Sequence, residues 1–433
     1  AAGTLLTGVV VAIPPHDATV RAVSPVPASA ANRLAHHEFL TAPTAEQCRT
    51  VMAVTCYSPL QLRAAYAVTP LQARGIDGRG TTIAVVVSFG SPTIEHDLRE
   101  FDRVWGLPDP PSISTITPAG PVPPFDASSE EMVGWAYETT LDVQYAHAMA
   151  PEAKILVVAT PVSETQGVQG FPEMVRAENY VVDHQLADII SQSFGAIEQT
   201  FPSAQSIRDL RGAFRNAERN GVTVLAAGGD TGAAGYESDQ SGLLSAPASS
   251  WPATDPLVTG VGGTRLELNA AGNRVRADRV WQDAYGAGGG GLSGVFDRPL
   301  FQYPVAAVVG DRRGTPDIAM SAGIDGGVLV YGSYDPDETG WSVVGGTSEA
   351  TPLFAGLVAL AAQAAGHRLG DLNPALYALG ARGDGGIVDV TSGSNGWADV
   401  IGYRAARGYD LASGWGTIDA SRFVPALAAT ASG

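Results

Sequence analysis

Ser348 stands in "VVGGTSEATPLFAGLVAL", between a glycine-rich turn and a proline that opens an apolar, alanine-rich helical run. A serine in that setting is either a nucleophile held at a helix start or the cap that starts the helix. Serine and threonine favour N-caps because their oxygen accepts an orphan backbone N–H, and proline favours the first turn. A catalytic reading therefore needs partners. Glu138 and Asp142 in "WAYETTLDVQYAHAMAPEAKI" are spaced four apart, so on a helix they share one face. Paired acids on a solvated face merely repel each other. Here Trp135, Leu141, Val143, Tyr145 and Ala146 make the surroundings largely apolar. Buried paired carboxyls share a proton and titrate apart, which is one way to build a general base that works in acid. A third acid, Asp230, ends "VTVLAAGGD" and begins "GGDTGAAG", a place for an ordinary turn aspartate or for a site residue at the end of a strand.

These residues need a frame that brings them together. A β-branched run bounded by glycines, "GRGTTIAVVVSFG" (78–90), predicts a buried strand, followed by the helical "TIEHDLREFDRVWG". Further strands are expected at 154–160, 187–195, 222–230 and 257–264, with helices at 131–149, 171–186 and 203–219 between them. Buried strands alternating with helices imply an α/β fold, a parallel sheet with helices on both faces, and such sheets gather their sites at the carboxyl ends of the strands. The segment "YGAGGGGLSG" (285–294) reads as a glycine turn on the surface, and "SPLQLRAAYAV" (58–68) as a short helix.

The bulk composition narrows the function. The 433 residues suffice for one large domain or two modest ones. Lys154 is the only lysine and the net charge is −18, so the chain lacks the basic surface that nucleic acid or an anionic membrane would require. Hydrophobic residues make up 45%, yet no run of apolar positions is long enough for a membrane span. Cys48 and Cys56 are spaced for a short disulfide loop, and two isolated cysteines make zinc improbable. The opening "AAGTLLTGVVVA", with "ASA" at 28–30, reads as the remnant of an export signal. Residues 1–75 are expected to form a leader, short pro-segment or N-terminal arm, and 76–433 the main domain.

"ETTLDVQYAHAMAP", "GGDTGAAG", "SWPATDPLVTGVGGT", "RGTPDIAMSA" and "GGTSEATP" occur in the order found in the sedolisin family of serine-carboxyl peptidases, which the chain resembles over roughly residues 58–433. The resemblance implies a subtilisin-like fold and an acid-acting, secreted, monomeric endopeptidase for protein or peptide substrates. It implies Ser348 as nucleophile, Glu138 as its base and Asp142 as the acid that orients Glu138. Asp230 would be a protonated oxyanion-hole donor beside the Ser348 N–H. It also implies a Ca²⁺ loop within "IVDVTSGSNGWADVIGYRAARGYDLASGWGT", with ligands at Asp389, Val390, Ala406, Gly408 and Asp410. Two departures stand out: Ser88 where some members carry a glutamate, and Ala406 where glycine is frequent. Subtilisin's histidine-based triad is the nearest rival, but no histidine stands in the expected His-Gly-Thr setting; His96 and His147 read as solvated or structural. The alternative from another class is a catalytically inactive homologue acting as a secreted binding protein. Against it, all four candidate residues are present.

Overall fold

The computed structural model describes residues 33–35, 39–336 and 339–431. Its centre is an eight-stranded sheet whose strands we number in chain order: β1 Thr82–Ser88, β2 Ile113–Ile116, β3 Lys154–Thr160, β4 Ile189–Gln192, β5 Thr223–Ala227, β6 Thr259–Arg265, β7 Arg279–Val280 and β8 Ile318–Ser321. The spatial order is β7-β6-β5-β4-β1-β3-β2, with β8 also paired to β6. Every pairing is parallel except β6 with β7. The strands β1, β3, β4 and β5 are almost wholly buried, as near-continuous Val, Ile and Ala runs require when helices cover both faces.

The chain builds β1, β2 and β3 toward one edge, then returns to place β4 on the other side of β1. That reversal opens a crevice beyond the carboxyl ends of β1 and β4, the usual location of a site in an open α/β sheet. Helices fall where the hydrophobic pattern places them: Ile94–Trp105, Glu130–Met149, Phe171–Asp183 and Thr347–Ala365. The expected helix over 203–219 is instead two, Ala204–Leu210 and Gly212–Asn220. Arg211 leaves helical geometry at the junction, where its guanidinium is drawn into a two-point pair with buried Asp255 at 2.6 and 2.8 Å.

Residues 285–294 correct the sequence reading most clearly. They are no surface loop: Gly286 to Gly291 are buried. The Gly289 N–H donates to the Gly229 carbonyl at 2.7 Å, and a Cβ on Gly289 would lie 2.1 Å from the Gly228 carbonyl oxygen. Glycine is used here for close backbone approach and not for a turn.

A second, four-stranded sheet packs beside the first, in the order Arg33–Ala35, Gly340–Val344, Gly327–Gly332, Cys56–Tyr57. Cys48 and Cys56 form a disulfide. Tyr57, Leu62, Tyr66, Val68 and Leu71 belong to the core, so residues 56–75 pack as part of the domain. The export-signal reading of residues 1–30 lies outside the described residues.

Candidate active site

Two helices carry the expected serine and acid pair, and they pack directly on each other. We call Glu130–Met149 the acid helix and Thr347–Ala365 the serine helix. From Trp135 onward every residue of the acid helix is buried, so its polar side chains must find partners inside the protein. Gln144 is clamped to the backbone of Tyr331, donating at 2.7 Å and accepting at 3.1 Å. The Tyr145 hydroxyl donates to the Leu329 carbonyl at 2.8 Å. Both contacts tie the acid helix to strand Gly327–Gly332, whose antiparallel partner Gly340–Val344 runs directly into Ser348. The helices approach closely because Gly356 has no side chain: a Cβ there would lie 2.4 Å from that of Met149.

Glu138, Asp142 and Ser348 are all buried, at 1%, 0% and 1% exposure. Asp142 Oδ1 accepts a 2.6 Å hydrogen bond from the Ser193 hydroxyl, and the same hydroxyl lies 3.4 Å from the Ser348 carbonyl. Burial pushes the Asp142 carboxyl well above the ordinary carboxylate range, and the Ser193 hydrogen bond pulls it partly back.

Asp230 follows the carboxyl end of β5 and meets the serine helix at its first turn. Its Oδ1 accepts from the Thr347 N–H and from the Thr347 hydroxyl, each at 2.8 Å. The Thr347 hydroxyl in turn accepts from the Gly229 N–H at 3.0 Å. The other oxygen, Oδ2, abuts Gly346, where a Cβ would stand 2.5 Å away; Gly346 also has φ +115°, a conformation open to glycine. Burial raises the Asp230 carboxyl to about 6, against the two Thr347 hydrogen bonds that lower it, while nearby Asp283 raises it further.

Glu349, next to Ser348, is a further acid that the sequence reading passed over. It is fully buried, and burial raises it well above the usual range; the Ser321 hydroxyl lowers it and Asp230 raises it. Ser193 and Thr347 were likewise missed. The only local hint for Thr347 was its place beside Ser348, and "SQSFG" gave no hint for Ser193.

The histidine alternative fares poorly in this geometry. His147 Nε2 lies 2.9 Å from the Pro108 carbonyl and 3.2 Å from Asp102 Oδ1, and His96 is exposed. Ser88, at the end of β1, donates to the Val162 carbonyl at 3.0 Å and accepts from the Glu164 N–H at 3.3 Å.

In the C-terminal loop, Asp389 accepts from the Gly408 N–H at 2.9 Å and Asp410 from the Ala406 N–H at 2.8 Å. The two expected carboxylates thus face one turn. Among the described residues the carbonyls of Val390, Ala406 and Gly408 take no backbone hydrogen bond, which leaves hard oxygen donors for a cation. No group of three or more His, Cys, Asp or Glu side chains suited to a metal occurs among the described residues, so any cation here would rely on those carbonyls.

Residues 130–375, which include both helices and every strand from β3 to β8, match the model of the subtilase family. The chain belongs to the subtilase family. Within it, this is a sedolisin-type member. It is 34% identical over 390 residues to kumamolisin of Bacillus sp. (strain MN-32), covering 88% of this chain and 65% of that one. It is 29% identical over 350 residues to sedolisin of Pseudomonas sp. (strain 101), covering 79% and 57%. Among solved structures, Pseudomonas sedolisin (serine-carboxyl proteinase) complexed with two molecules of pseudo-iodotyrostatin superposes with a TM-score of 0.72 at 26% identity, over 86% of this chain and 97% of that one. The sedolisin-type chain described here spans between about half and two thirds of the length of the curated relatives it matches.

Proposed function

We propose that this chain is a serine-carboxyl endopeptidase that hydrolyses protein or peptide substrates in acid through an acyl-enzyme on Ser348. The observation that carries the reading is the convergence of two acids on one serine. Asp142 is bonded to Ser193, whose hydroxyl stands 3.4 Å from the Ser348 carbonyl, and Asp230 is bonded to Thr347, the residue before Ser348. In this reading Glu138 takes the Ser348 proton as Oγ attacks the peptide carbonyl, and Asp142 orients Glu138. The tetrahedral oxyanion is met by the Ser348 N–H and by the Asp230 carboxyl. Because Asp230 Oδ1 already accepts two bonds from Thr347, its proton belongs on Oδ2, free to be donated. Glu138 returns the proton to the leaving amine, and a water activated by Glu138 then releases the acyl group.

The pH range follows from Asp230. As a donor it must be protonated, and ionised it would repel the oxyanion, so activity should decline as pH rises through about 6. Ca²⁺ fits the C-terminal loop as a structural ion, held by Asp389 and Asp410 and by the carbonyls of Val390, Ala406 and Gly408. It would neutralise the two carboxylates and fix the turn. The Cys48–Cys56 disulfide supports an oxidising, extracellular setting. Among the described residues no helix is long and apolar enough to cross a membrane. All the proposed groups come from one chain, so a monomer suffices.

The test is proteolysis of a denatured protein from about pH 2 to 8, a span that brackets carboxyl and imidazole values, with Ser348→Ala alongside. Activity confined to acid and lost by a factor of about 10⁴ or more in Ser348→Ala is expected. Activity peaking near neutrality would return the role of base to a histidine. Folded, mature protein inactive at every pH would favour the binding-protein alternative.

A further inference from the structure

Ser193 joins the two helices of the site at one atom. In a regular helix the Ser348 carbonyl would accept the N–H of residue 352, but Pro352 has no N–H to give. The Ser193 hydroxyl stands 3.4 Å from that carbonyl and 2.6 Å from Asp142 Oδ1. Ser193 is itself buried and has a single hydrogen to donate. At 2.6 Å the contact with Asp142 has the length of a strong O–H···O bond, whereas 3.4 Å lies beyond the usual range. The hydrogen therefore goes to Asp142. The reverse arrangement, with Asp142 donating to Ser193 and Ser193 to the carbonyl, would rest on the poorer of the two contacts.

We propose that Ser193 is a positioning residue: by donating to Asp142 Oδ1 it confines the proton of Asp142 to Oδ2, so that Asp142 donates toward Glu138 and Glu138 is kept as the base. This inference rests on the peptidase reading given above. Among the described residues buried Asp142 Oδ2 has no hydrogen-bond partner from another element, which leaves it for Glu138, one turn earlier on the same helix face. The hydroxyl lies between the acid helix and the first turn of the serine helix, so a shift of either helix would lengthen one of its two contacts.

The electrostatic setting gives this single hydrogen bond weight. The buried ionisable groups on elements packed against the acid helix are Asp97 and Asp102 of Ile94–Trp105, Glu349 of the serine helix and Tyr66 at the end of Pro59–Ala65. The basic groups nearby are the half-buried Arg63 of Pro59–Ala65 and His147 of the acid helix, which meets Asp102; neither acts on Asp142. Burial raises the Asp142 carboxyl and the Ser193 hydroxyl is what lowers it. Without Ser193 the acid pair should hold its first proton to higher pH, and Glu138 should become available as a base only at higher pH.

Steady-state cleavage of a peptide substrate by Ser193→Ala, Ser193→Thr and Ser348→Ala, each checked for folding by thermal unfolding, tests this. Ser193→Ala should lower kcat by up to about tenfold, the worth of one buried hydrogen bond, while KM changes by less than about twofold. Its acid limb of kcat should move to higher pH, and Ser193→Thr, which keeps the hydroxyl, should restore both. If Ser193→Ala does not fold, Ser193→Cys takes its place, since a thiol is a poor donor in the same space. Folded Ser193→Ala with the parent's kcat and acid limb would overturn the proposal, as would a folded Ser193→Thr that restores neither. Activity surviving in Ser348→Ala would instead sink the peptidase reading itself.

Discussion

Asp317 and the acids around Ser348 are buried to the same depth and meet opposite surroundings. Asp317 faces Arg313, also fully buried, through bonds of 2.7 and 2.6 Å, and accepts further bonds from the Gly260 N–H and the Tyr377 hydroxyl, each at 2.8 Å. Those contacts hold Arg313 charged despite burial, its guanidinium raised above the ordinary value chiefly by Asp317. Among the described residues no basic side chain acts on Asp142, Asp230 or Glu349, and burial raises all three. One region keeps its charge by pairing it, and the other keeps its protons by excluding counter-charge. The paired acid is architecture, clamping β6 to the segment before β8. The unpaired acids suit chemistry in which a carboxyl must donate a hydrogen bond.

Asp317→Ala should break this contrast most severely. It strands the Arg313 charge in the interior at a cost of about 3–5 kcal/mol, read from urea unfolding at pH 4 and again at pH 7. A loss below about 1 kcal/mol would mean that water reaches Arg313 and that the pair is not the buried clamp it resembles.

Substituting Asp230 sharpens the other side. Asp230→Ala should lower kcat by about 10²–10³, as loss of an oxyanion donor does. Asp230→Asn keeps a donor that cannot ionise, so it should retain more activity than alanine and should not decline through pH 6. An asparagine variant with the parent's fall near pH 6 would assign that limb to another group.

Glu349 tests the same logic through stability. Its folded-state carboxyl is raised above the ordinary 4.5, so the unfolded chain releases this proton first as pH rises. The stabilising contribution is complete below about 4.5 and is lost progressively as pH climbs toward the folded-state value. In a Ser348→Ala background, which prevents self-digestion, Glu349→Gln should match its parent at pH 4. At pH 6 it should be more stable than its parent. Equal stability at both pH values would show that Glu349 finds a compensating partner.

The C-terminal loop offers the smallest effect. Asp389 and Asp410 face one turn with no ion pair to a basic side chain among the described residues, an arrangement that a cation would complete. Adding Ca²⁺ at tenfold excess over Kd should stabilise the protein by about 1.4 kcal/mol. Asp389→Asn should remove most of that gain, and an unchanged unfolding midpoint with and without chelator would empty the loop of its proposed role.

Much of the frame was legible because its signals are local. The apolar runs of β1, β3 and β5 and the helical spacing of Glu138 and Asp142 need only neighbouring residues to be read. The motif "RGTPDIAMSA" was legible as a motif, but its physical content, a buried ion pair folded back over four residues, was not. The glycine run at 285–294 was misread for a related reason. Absence of side chains looks the same in sequence whether it frees a loop or lets two backbones touch, and only the contact with Gly228 and Gly229 distinguishes them.

From its sequence alone this chain is an acidic α/β protein of sedolisin type, with a serine at a helix start and three acids in motif order. Residue types and periodicity are enough for the α/β frame, and the resemblance of the ordered motifs supplies the sedolisin type. The tertiary structure decided which groups complete the constellation. Ser193 meets Asp142 across 51 residues and Thr347 meets Asp230 across 117, and no local pattern records such contacts. It also decided which acids face a cation. Every aspartate begins with the same intrinsic affinity for a proton, and burial raises that of Asp230, which among the described residues faces no cation, whereas Asp317 faces Arg313.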